Sequence, residues 1–174
     1  GSVECDYTEL TVHNLLMNNP SATIFPDHAT LWCDSIEADS ARAAIQSYYS
    51  RIIVTNSRFM NSNSPIYSRQ DTLLLQNCEF ISNTAKTWTD CEEWGCWTSG
   101  GNGGAIYAYR SSLMVENCRF EDNQSDRGGG AIYGNQAILS SIRNCVFRNN
   151  QCGVSYGDGG AIRWSGSVSL VIDS

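Results

Sequence analysis

Short bursts of alternating apolar and polar residues recur along the chain, and they align when it is cut at intervals of about 21 residues. Isoleucines stand at 24, 45, 66, 106, 132 and 162, at spacings of 21, 21, 40, 26 and 30. The short spacings define a basic repeat, and the long ones are that repeat with insertions. Aligned copies yield columns. One reads Leu10, Leu31, Ile52, Leu73 and Leu113; two positions on, the next reads Val12, Cys33, Val54, Leu75, Val115, Ile142 and Ile172. A third holds Leu15, Ile36, Ser57, Cys78, Cys118 and Cys145, and a fourth Met17, Ala38, Phe59, Phe80, Phe120 and Phe147. Leu-x-Val and Cys-x-Phe each alternate with the period of a strand, and the Asn between them shifts the alternation by one.

This pattern predicts two short strands joined by a bend at Asn. The stretch Ala-Ile-Tyr, entered through a Gly-Gly turn, supplies a third side. No 3.6-residue stripe fits these windows, and the density of Asn and Gly disfavours helix. A strand-rich coil repeated with aligned inward positions is an all-β solenoid, a parallel β-helix of about seven coils of about 21 residues. It fills residues 1–174 as a single domain, with like side chains stacked about 4.8 Å apart on neighbouring coils.

Two motifs recur inside the repeat. Gly103-Gly104-Ala105-Ile106 returns as Gly129-Gly130-Ala131-Ile132 and Gly159-Gly160-Ala161-Ile162. Phe80-Ile81-Ser82-Asn83 returns as Phe120-Glu121-Asp122-Asn123 and Phe147-Arg148-Asn149-Asn150. Paired GGAI and FxxN units resemble those of the polymorphic outer membrane proteins, surface autotransporters of chlamydiae, and of large extracellular proteins of protists and algae. The likeness is clear over residues 40–174 and rests on the columns alone over 7–39. It implies a right-handed β-helix exposed on a cell surface, with a role in adhesion or surface architecture. The chain departs from that family in having no C-terminal membrane barrel and in carrying a Cys- and Trp-bearing insertion. Such repeats speak to fold far more than to function.

Length excess collects between the FxxN unit and the next Gly-Gly, at residues 84–102, 124–128 and 151–158. In-register coils project all three loops from one edge, the usual place for binding on a repeat scaffold. The longest loop carries Trp88, Trp94, Trp97, Asp90, Glu92 and Glu93, and Tyr156 lies in the last. Exposed tryptophans could hold a sugar or a protein partner; the alternative is that they fold back onto their own coil. Tyr67, Tyr107 and Tyr133 form an aromatic ladder beside the Gly-Gly strand, read either as like-with-like stacking or as a carbohydrate platform. On the outer face, Trp32, Ile53, Leu74 and Met114 make an apolar stripe that predicts a covering partner. Nearby, Arg58, Glu79 and Arg119 alternate in sign, as do Glu116, Arg143 and Asp173, and read as solvated cross-strand pairs.

Of eight cysteines, Cys33, Cys78, Cys118 and Cys145 occupy inward columns and read as buried free thiols acting as small hydrophobes. Cys5, Cys91, Cys96 and Cys152 lie off the columns and are the disulfide candidates, with Cys91–Cys96 or Cys96–Cys152 the pairs that suit the loops. An oxidising, extracellular or cell-surface setting is expected. The Cys-x4-Cys spacing lacks nearby His13 and His28, so no metal and no cofactor is expected.

Composition narrows the functions. The 174 residues are 41% hydrophobic and 17% charged, with a formal net charge of −7. One lysine, Lys86, and ten arginines in an acidic chain make a poor partner for nucleic acid. No apolar run approaches the roughly 20 residues of a membrane span, and no leader pattern opens the sequence. Residues 170–174 match 113–117, so the sequence stops in mid-coil, and we expect a piece of a longer solenoid or one that stacks on a partner. An enzyme of the polysaccharide lyase or hydrolase kind would need clustered carboxylates, or a base beside calcium ligands. The outward acids instead pair with arginine. Asn123-Gln124-Ser125 is a formal glycosylation sequon, but Asn123 is also the FxxN asparagine. The leading expectation is a non-enzymatic surface module binding a protein or glycan through its edge loops. The alternatives are a structural subunit self-associating through the apolar stripe and a carbohydrate-active enzyme.

Overall fold

The computed structural model describes residues 2–92, 95–153, 159–166 and 170–173; within 90–99 and at Leu170 it describes the backbone alone. One coil shows how the sequence builds the rest. The strand Ile45–Tyr48 ends at Tyr49, the strand Arg51–Thr55 ends at Asn56, and the strand Arg58–Met60 ends at Asn61. Each of the three end residues has a φ of 49°. A left-handed residue turns the chain, and the next residue points its side chain back inside. Asn recurs in that state because its short amide tolerates it. At the bend between the second and third strands the residues are Asn14, Ser35, Asn56, Asn77, Asn117 and Asn144, Asn on every coil but one.

Stacked coils make three parallel sheets of seven, seven and six strands. Among the described residues there is no helix. The predicted registers are met in full: Ile24 pairs Ile45, Ile45 pairs Ile66, Ile66 pairs Ile106, Ile106 pairs Ile132 and Ile132 pairs Ile162. The interior is one apolar column set, in which Leu31, Ile52, Leu73, Leu113, Phe59, Phe80 and Phe120 are wholly buried. Phe59, Phe80, Phe120 and Phe147 stack at 5.0, 4.9 and 4.8 Å between ring centroids, tilted by no more than 8°. Offset-parallel rings at this spacing match the strand separation, so each Phe adds burial and stacking together.

Polar ladders line the corners. The FxxN asparagines Asn83 and Asn123 are wholly buried. The Asn123 amide donates to Phe80 O at 2.9 Å, and its Oδ1 accepts from the Asn83 backbone at 3.1 Å. Asn150 repeats this toward Asn123 and Phe120 O. The cysteine column does more than the small-hydrophobe reading allows. Ser57 Oγ accepts from Ile36 N at 3.1 Å, and Cys118 Sγ and Cys145 Sγ accept from Cys78 N and Cys118 N at 3.4 Å. The thiol replaces the hydroxyl as a corner acceptor. Cys33, Cys78, Cys118 and Cys145 are all free.

Two expectations about the outside need revision. The edge insertions start as strand rather than loop: Thr84–Ala85, Gln124–Ser125 and Gln151–Cys152 form a fourth, short parallel sheet. The longest insertion is itself an antiparallel hairpin, Thr87–Glu92 with Gly95–Gly100. The apolar stripe is also narrower than predicted. Trp32 is 45% and Met114 41% exposed, but Leu74 is half-buried and Ile53 only 7% exposed. In-register neighbours at the 4.8 Å spacing shield the middle of a column that its ends leave open. Of the two charge ladders, one forms as read: Arg58 Nε stands 3.3 Å from Glu79, Arg119 bridges Glu79 at 3.8 Å, and Arg119 also binds Glu121. Glu116, Arg143 and Asp173 are in-register neighbours but form no ion pair among the described residues.

Candidate functional site

The outward face of the first sheet gathers aromatic side chains. Phe25, Gln46, Tyr67, Tyr107 and Tyr133 share one outward position on successive coils, with Tyr48 one position over. Tyr67 and Tyr107 stack at 4.8 Å and Tyr107 and Tyr133 at 5.6 Å. Tyr48 joins them at 6.3 Å from Tyr67 and reaches Phe25 at 5.5 Å. The Arg163 guanidinium closes the far end, 5.6 Å from the Tyr133 ring. Burial, then the neighbouring phenols, push the Tyr107 hydroxyl up to about 12, and burial raises Tyr67 as well. These phenols therefore stay protonated at neutral pH and offer O–H donors along the ladder.

The hairpin stands beside this face. Its first residue is tied to the scaffold: Thr87 N and Oγ1 lie 2.7 and 3.1 Å from Asp126 Oδ2. Trp88 follows, 57% exposed, with its six-membered ring over Gly100. A Cβ at Gly100, where φ is +78°, would fall 2.1 Å from Trp88 Cζ3, so only glycine lets the indole lie this close. Between hairpin and sheet runs a groove of about 790 Å3. Tyr48, Tyr67, Tyr107 and Trp88 all line it, and so do the exposed Arg42 and Lys86. Gln46 lies on the floor and its amide donates to Tyr48 Oη at 3.1 Å. The volume lies within the usual range for a ligand site.

Two candidate sets from the sequence thus converge: Trp88 from the edge insertion, and Tyr67 and Tyr107 from the ladder. Tyr133 continues the ladder but is nearly buried, at 9% exposed. Of the other hairpin candidates, Asp90, Glu92 and Trp97 are placed by backbone only, and Glu93, Trp94 and Tyr156 lie outside the described residues. Cys91 stands directly opposite Cys96 in the hairpin register. Cys5 is buried and Cys152 half-buried, and both are free thiols rather than disulfide partners. Cys5 points inward in its own strand, out of reach of the edge insertions.

Sequence reasoning missed Arg42, Gln46, Tyr48 and Lys86. Extending the tyrosine column backwards would have found Phe25 and Gln46. The repeat puts Lys86 two coils and two positions on from Arg42, but that both border one groove depends on how the insertion leaves its coil. A second missed feature is the stack of Tyr7, His28 and Tyr49, with centroids 4.9 and 4.8 Å apart. Their 21-residue spacing was visible, and all three are left-handed corner residues.

Comparison with known proteins agrees with this architecture. The family model described as "Right handed beta helix region" matches residues 5–168, nearly the whole chain. Among solved structures, QnrB1, a plasmid-mediated fluoroquinolone resistance protein, matches at 7% identity and a TM-score of 0.21. That match covers 95% of this chain and 94% of the other, at a similarity too low to bear on fold or function. No curated protein matches the chain.

Proposed function

Because the chain belongs to the right-handed β-helix family, we propose that it is a non-catalytic binding module of a cell surface or extracellular assembly, holding its ligand in the groove between hairpin and tyrosine face. One observation carries this reading: the hairpin, an addition to the repeat, brings Trp88 into one groove with Tyr48, Tyr67 and Tyr107. A scaffold needs no such wall. The described groove residues supply rings, hydroxyls, amides and two cations, which is binding chemistry. Membership of a family that includes both binders and enzymes leaves the choice to the site. The resemblance to surface autotransporter repeats supports the location.

The test compares wild type with Trp88→Ala and with a variant whose residues 87–100 are replaced by a Gly-Ser linker. All three are screened against glycan arrays and immobilised matrix proteins. The expected outcome is a retained ligand for wild type and a loss of about tenfold or more for both variants, at unchanged far-UV circular dichroism. Full retention by the hairpin-less variant would sink the groove reading.

A further inference from the structure

Charge is unevenly spent on this molecule. Asp and Glu total 18 against 11 Lys and Arg. Most of the other described cations with assigned contacts serve the fold: Arg58 and Arg119 join the glutamate ladder, Arg69 and Arg110 lie over Tyr109, and Arg163 caps Tyr133. Arg42 and Lys86 differ. They come from different coils, both are exposed, neither forms an ion pair among the described residues, and both border the same groove. No carboxylate stands among the described residues that line it. Two acids border it without lining it, Asp27, the in-register neighbour of Tyr48, and Asp126, which accepts from Thr87 N; Glu4 and Asp6 lie one strand farther out.

The rest of the lining indicates what carries the complementary charge. Strands Ile45–Tyr48 and Ile66–Arg69 are paired on both sides, so the groove floor has no free edge on which a peptide could add as a strand. It offers phenol hydroxyls, the amides of Gln46, Asn63 and Asn102, and the indole of Trp88. Hydroxyl and amide partners beside an open aromatic ring suit a sugar, whose C–H face packs on the ring while its hydroxyls exchange hydrogen bonds. The groove runs from Thr23 to Tyr107, across four strands of the first sheet, or about 14 Å at the usual strand separation. That is an oligosaccharide's length.

We infer that the groove binds an acidic polysaccharide, a sugar chain bearing carboxylate or sulfate groups, with Arg42 and Lys86 holding the anions and Trp88 a ring. This rests on the groove being the ligand site. Binding is read by calorimetry with four polymers: hyaluronan, its methyl ester, dextran sulfate and dextran. The proteins are wild type, Arg42→Gln/Lys86→Gln, Trp88→Ala, and Arg143→Gln/Arg148→Gln as a matched loss of two exposed charges elsewhere. Expected is binding of at least one acidic polymer, with its neutral counterpart about tenfold or more weaker. The groove double variant loses about tenfold or more toward the acidic polymer, the distant double variant keeps wild-type affinity, and added salt weakens binding. Hyaluronan or dextran sulfate preference tells carboxylate from sulfate.

Equal affinity for acidic and neutral polymers, or a groove double variant that binds like wild type, would overturn the charge assignment. If Trp88→Ala still lost affinity then, the groove itself would survive as the site. Equal losses in the two double variants would reveal non-specific attraction and overturn the inference too. So would wild type that holds none of the four polymers but retains a matrix protein through Trp88, which would make the occupant a protein.

Discussion

At the residue scale, buried polar side chains do work that the apolar columns conceal. Asn123 takes part in hydrogen bonds to both neighbouring coils: it meets Asn83 and Phe80 O on one and Asn150 on the other. Asn123→Ala would leave the Asn83 N–H without its acceptor in the interior and strip the Phe80 carbonyl of its side-chain donor. Its expected cost is roughly 3 kcal/mol in urea unfolding. With no exposed surface, Asn123 is also a closed sequon, so it should stay unmodified in a glycosylating host. Asp71 is a second case. Burial raises its carboxyl above the ordinary value of 3.8, although Ser47, Ser50, Ser68 and the Arg69 N–H all donate to it. A raised folded value means the native chain holds a proton that the unfolded chain has released. Stability from this group is therefore full below the ordinary value and declines as pH rises toward the raised one. Asp71→Asn should remove that decline while lowering stability overall, because with its oxygen kept on Ser50 N its NH2 group faces the Arg69 N–H, donor against donor. Urea midpoints between about pH 3 and about pH 7 read both effects.

At the scale of the element, the two glycines of the GGAI unit have separate jobs. Gly103 turns the chain at φ +66°, and Gly129 does so at +62°. The second glycine makes room for the neighbouring coil: a Cβ on Gly104 would lie 2.1 Å from Gly130 O, and one on Gly130 2.1 Å from Gly160 O. Those obstacles are backbone and cannot move without breaking the stack. Gly130→Ala should therefore lower the thermal midpoint strongly, by an amount typical of overpacked cores, about 1–3 kcal/mol or more. Ala161→Gly, at the half-buried copy of a small-residue position, serves as a mild comparison. The motif was legible as a repeat, but the reason for its second glycine appears only when two coils are laid together.

Across the whole molecule, each coil touches chiefly its neighbours, so stability is a sum along a line and opening starts where that line is thinnest. The thiols report on this. Cys33, Cys78 and Cys118 are at most 2% exposed, and burial pushes Cys33 up to about 12. Cys145 and Cys152 are only partly buried. In urea too dilute for global unfolding, alkylation followed by mass spectrometry should modify Cys152 and Cys145 first and Cys78, in the middle of the stack, last. Simultaneous modification of all five would mean that the solenoid opens as a single unit instead.

What the sequence determined by itself is the repeat: the strand registers, the inward columns, the left-handed Asn corners and the phenylalanine stack. A side chain's place inside a solenoid follows from its position in a coil, and the pattern of 21 carries that position from coil to coil. The tertiary structure alone decided everything that the repeat does not index. The insertion has no counterpart on other coils, so no column could say that it returns as a hairpin or that Trp88 comes to line one groove with Tyr67 and Tyr107. Arg42 and Lys86 lie 44 residues apart, two coils and two positions on in the repeat, but the groove that both border exists only because the insertion returns as a hairpin. Periodic interactions are local in register and are written in the chain, whereas the groove comes from a departure from period and exists only in three dimensions.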